Sequence, residues 1–155
     1  MSRQLQDGAV DAVSNYWHFV ARLEAAGAKR LIGVDEAMAE LGVAPAPAMI
    51  GFVWEAGTPD QTAVDGFLRA IAAAGAALAA DDAAWEEVRP LMRADDEAAF
   101  VALRDAYRAG IPGPWSAQDT AAAARLYEIL VIEGGAAFAA TAGPFDPAAF
   151  SVGAE

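Results

Sequence analysis

One stretch, residues 5–27 (LQDGAVDAVSNYWHFVARLEAAG), restricts the possible folds more than any other. Its run Ala9-Val10-Asp11-Ala12-Val13 is short, apolar and opened by the turn pair Asp7-Gly8, the pattern of a buried strand. The aromatic cluster Tyr16-Trp17-His18-Phe19 follows at once. Phe19, Val20 and Leu23 then recur at helical spacing and predict a helix from about 15 to 26, with Gly27 as the left-handed residue beyond its end. A strand that runs into a helix through polar and aromatic side chains can present them to a ligand. In open α/β sheets ligands sit at the carboxyl ends of strands.

Two more short apolar runs read as strands, near 30–34 and 48–54. Between them Asp35 is placed to cap a small helix ended by Gly42. Ala44-Pro45-Ala46-Pro47 cannot continue a helix and delivers the chain extended into the third strand. The second half reads as four longer helices. Thr58-Pro59-Asp60-Gln61 is a helix start, with Thr58 at the N-cap. Asp81 or Asp82 opens the next helix and Asp95 the third, which Gly110 ends. Ser116-Ala117-Gln118-Asp119 opens the last, which Gly134-Gly135 stops. The expected architecture is α/β and helix-rich, divided at Pro47 into residues 1–47 and 48–155.

A net charge of −12 makes nucleic acid a poor partner. The chain has no cysteine, which removes thiolate metal sites and a cysteine nucleophile. No apolar signal core stands at the N-terminus, and no stretch reads as long and apolar enough to enter a membrane.

The order of these elements resembles one family. The Gly8-Ala9-Val10-Asp11-Ala12 strand, the Tyr107 to Pro112 phrase, Leu126-Tyr127, Gly134-Gly135 and Asp146-Pro147 with Phe150 are similar to the C-terminal portion of ABC-transporter solute-binding proteins. The nitrate/sulfonate/taurine type is the nearest in pattern. The resemblance implies a partial type II periplasmic-binding fold, with 1–47 a remnant of the second lobe and 48–155 a hinge strand plus the helical part of the first. It implies a periplasmic location, ABC permease partners and hinge closure on a small solute, anionic or organic. The family's N-terminal half has no counterpart here, so the chain reads as truncated. The alternative is a stand-alone, mostly helical cytoplasmic domain with an interaction or regulatory role.

The expected ligand contacts are Asn15, Tyr16, Trp17 and His18 at the helix entrance, with Asp11 on the first strand and Trp54 after the third. Asn15 offers two donors and an acceptor, while Tyr16 and Trp17 offer flat walls with a polar edge. One or two of these aromatics belong to the core. For Asp11 a carboxylate bonded to local backbone amides is the plainer role. His18 is the only histidine. It lacks a nucleophile or carboxylate arranged beside it, so no enzyme activity, cofactor or catalytic residue is expected. The acidic pairs at helix starts are placed for capping rather than for metal.

Overall fold

The computed structural model describes residues 1–55, 57 and 60–150. In chain order the helices are α1 (Ser2–Gln6), α2 (Trp17–Ala25), α3 (Val34–Glu40), α4 (Gln61–Ala80), α5 (Asp82–Met92), α6 (Glu97–Ala109) and α7 (Ala117–Ala142). A single 3-10 turn, Pro147–Ala149, follows. Two compact units interleave along the chain: Met1–Arg30 joins Val53–Ile111, and Leu31–Phe52 joins Pro112–Glu155.

There is no β-strand among the described residues, which overturns the α/β expectation. The runs at 9–14 and 48–54 are irregular chain, and so is 30–33, with Val34 already opening α3. Each is short enough that periodicity alone cannot assign it. A strand also needs a neighbour to complete its hydrogen-bond ladder, and none lies beside these runs. Their side chains stay in solvent: Leu31 is 82% exposed, Ile50 83% and Val53 95%. Burying each of these fully would contribute about 1.5–3 kcal/mol.

Capping explains where the helices begin. Asp60, Asp81 and Asp96 accept from the amides of Thr62, Ala83 and Ala99 at 3.0, 2.8 and 2.8 Å. Each satisfies a donor that has no partner inside its helix. The cap of α6 is thus Asp96, one residue beyond the expected Asp95. The Thr58 cap proposed for α4 lies outside the described residues, and Asp60 holds that role. Ser116 opens α7 with a reciprocal box, in which its amide donates to Asp119 at 2.8 Å and the Asp119 amide to its hydroxyl.

Helix ends follow glycine. Gly27 has φ +96°, and the Ala28 amide reaches back to the Leu23 carbonyl at 2.9 Å. Gly42 repeats this at φ +76°, with the Val43 amide on the Met38 carbonyl at 2.8 Å. This wrapped ending sets its two flanking apolar side chains against each other. Met38 and Val43 accordingly form the buried centre of their unit, with Ala122, Leu126 and Ile129 of α7 around them.

In the other unit α2 packs on α6, and α4, α5 and α6 pack in succession. Its core is Ala21, Leu23, Val64, Trp85, Ala99, Phe100 and Leu103. The Trp85 indole donates to the Leu78 carbonyl at 2.7 Å, so its one polar atom is satisfied. Arg108 donates to the same carbonyl at 2.9 Å and pairs with Asp82 at 2.7 Å. Arg22 fastens α2 to the end of α5 through the Met92 carbonyl at 2.7 Å.

α4 has a mean hydropathy of 1.5 and is long and apolar enough to cross a membrane by length and composition. Read from sequence, the apolar stretch spans only 70–80, short, alanine-rich and stopped by Asp81-Asp82, whereas the helix itself begins at Gln61. Length and composition alone carry no argument for insertion.

Candidate binding cleft

One concavity lies in the unit that holds α3 and α7, at none of the ligand contacts expected from the sequence. It is a cleft of about 420 Å³ lined by Pro47, Met49, Trp115, Leu126, Tyr127, Phe145 and Phe150, among others. Volumes of roughly 300–1,000 Å³ with apolar walls are usual for small-molecule sites.

The walls come from three places. Leu126 and Tyr127 stand on α7, as does Leu130 one turn on. Gly135, at φ +66° and ψ −166°, breaks α7 near its end. A Cβ on Gly134 would lie 2.7 Å from the Phe138 Cβ, so the break needs a bare backbone on both sides. Tyr127 donates to the Gly143 carbonyl, which fastens the returning chain. Phe145 and Phe150 then fold back: Phe150 stacks on Trp115 at 5.0 Å and on Phe145 at 5.5 Å, and Phe145 lies 5.7 Å from Tyr127. Pro47 is buried on the remaining side.

Polar atoms here are few and mostly engaged. The Trp115 indole donates to Thr120 at 2.8 Å. Asp146 uses one carboxylate oxygen to cap the 3-10 turn, accepting from the Ala148 amide at 2.9 Å. Among the described residues its other oxygen has no hydrogen-bond or ion-pair partner. Among them too, no lysine, arginine or histidine lines the cleft. Asp119, at the start of α7, is held below the usual carboxylate range by the Ser116 hydroxyl and amide.

The residues singled out from sequence lie in the other unit. Asn15 is half-buried and spends its amide on structure: Nδ2 donates to the Ser2 hydroxyl at 2.9 Å, and Oδ1 accepts from the Tyr16 amide at 3.0 Å. Tyr16 is 70% exposed and Trp17 46%. His18 lies parallel to Tyr16 at 6.2 Å and tilted against Phe19 at 4.3 Å, with no polar partner among the described residues. Trp17 meets Tyr107 edge-on at 6.0 Å, and Tyr107 meets the buried Trp85 at 5.4 Å. Residues 15–18 are therefore an open aromatic face rooted in the core. Asp11 is exposed in the loop before α2, not buried in a strand. Trp54 is 44% exposed in the loop before α4.

Among the described residues no group of three metal-ligating side chains converges. A scan against models of known protein families and a search of curated proteins each find no match.

Proposed function

We propose that this chain is a non-catalytic binding module that takes a small organic solute against aromatic walls. The carrying observation is the cleft formed by Trp115, Tyr127, Phe145 and Phe150, whose hydrogen-bonding atoms are mostly committed to the fold. Such a site holds a ligand by apolar contact and shape and leaves its bonds intact. The proposal keeps the solute-binding role that the resemblance to ABC-importer receptors implies. It does so without the sheet that the resemblance also implied.

The test is titration of the labelled protein with 2-phenylethanol, followed by NMR. Shifts of the Trp115 indole N–H and the Met49 methyl, weakened by filling the cleft with Ala149→Leu, are expected. Absence of any shift at millimolar ligand overturns the assignment. Shifts confined to Tyr16, Trp17 and His18 move the solute site to the exposed face at the start of α2.

A second reading, a helical interaction domain, is supported by different residues. Leu31, Ile50 and Val53 are large, aliphatic and almost wholly in solvent. Apolar surface of this kind marks protein contacts when contiguous. Reversible, concentration-dependent sedimentation that is abolished by Ile50→Asp would favour it.

A further inference from the structure

We propose that the ligand of the α7 cleft is an apolar amine carried as its cation, and that Asp146 selects it. This rests on the assignment of the cleft as the solute site. Three observations about charge point the same way. Among the described residues the cleft has one carboxylate on its wall, Asp146, and no basic side chain. One Asp146 oxygen is fixed by the Ala148 amide, which orients the carboxylate, and its second oxygen has no partner among the described residues. The rings of Trp115, Tyr127 and Phe145 line the same cleft, and an aromatic face attracts a cation and repels an anion.

The rest of the chain reinforces this choice. With 22 acidic against 10 Lys and Arg residues, its long-range field draws cations toward the surface and turns anions away. The anionic solute suggested by the family resemblance would meet a carboxylate and, among the described residues, no cation at this cleft. A primary ammonium fits better: its body lies against Leu126, Leu130 and the rings, and its head donates to Asp146.

The experiment compares three ligands with the same phenylalkyl body at pH 7: 2-phenylethylamine, 2-phenylethanol and 3-phenylpropionate. Affinities are read from the Trp115 indole N–H shift in wild type and in Asp146→Asn. Asparagine can still cap the 3-10 turn, so the variant keeps the local backbone. The amine is expected to bind about tenfold tighter than the alcohol, and the carboxylate more weakly than either. Asp146→Asn should cut the amine-to-alcohol ratio by about threefold or more, and 0.5 M salt should narrow it too. Equal affinity for amine and carboxylate, or a ratio untouched by Asp146→Asn, overturns the proposal while leaving the cleft as a neutral-solute site. If none of the three ligands moves the Trp115 signal, the cleft assignment itself fails and the proposal fails with it.

Discussion

Replacing Gly135 by alanine should destabilise the α7 unit more than a surface change normally does. Gly135 sits at φ +66°, ψ −166°, a region open to glycine and closed to L side chains. Holding alanine there costs about 1–3 kcal/mol. Nothing lies within 4 Å of the added Cβ, so the whole effect is backbone strain and no clash contributes. At Gly134 the balance reverses. An added Cβ would stand 2.7 Å from the Phe138 Cβ and 2.9 Å from its Cγ, against backbone-rooted atoms that cannot swing aside. Overpacking of that kind costs about 1–3 kcal/mol. Each variant should therefore lower Tm by roughly 4–8 °C, taking about 2 kcal/mol and a domain of this size. Thermal melts followed by circular dichroism at 222 nm measure this. D-alanine at 135, placed by ligation, prefers positive φ and should restore wild-type stability; D-alanine at 134 should not. An L-alanine variant at 135 that melts within about 1 °C of wild type would refute the argument that the break in α7 is imposed by backbone geometry.

Ser116→Ala should raise the Asp119 carboxyl toward its ordinary range, because the hydroxyl that stabilises its ionised form is removed. Asp119 is depressed in the folded state, so its contribution to stability is present above the unfolded carboxyl's range. It is lost as pH falls through the folded value, and carbon NMR with acid titration should show the variant losing that acid-side dependence. Trp85→Phe removes a buried indole and its bond to Leu78, at about 2 kcal/mol, read as a lower urea midpoint with unchanged slope. Val53→Asp, at a side chain 95% exposed, should change stability by less than about 0.5 kcal/mol and improve solubility. A large loss there would mean the segment is covered in solution.

Several helix boundaries were readable from the sequence because caps are local. Asp81, Ser116 with Asp119, Gly27 and Gly42 act within five residues of their own position. The fold class was not readable, because strand character depends on a distant partner. The runs at 9–14 and 48–54 carry the side chains of buried strands without the neighbour that would make them so. The cleft escaped for a related reason. Gly134-Gly135 was read as a helix stop, whereas helix resumes after the break, and the chain beyond it returns to set Phe145 against Tyr127 and Phe150 against Trp115. The aromatic cluster at 16–19 was found as a cluster, but which rings face solvent is decided by Tyr107 and Trp85, some ninety and seventy residues away in the chain.

The alternation of the two units along the polypeptide governs how the molecule can be made. α2 leaves the ribosome well before α6, the helix it packs against; at about 5–20 residues per second it waits on the order of 5–15 s for that partner. During that interval Ala21 and Leu23 have nothing to cover them, and the nascent chain must be shielded. The same threading means that no single cut releases either unit intact. A genetic fragment covering one would have to be supplied as two pieces and allowed to reassemble.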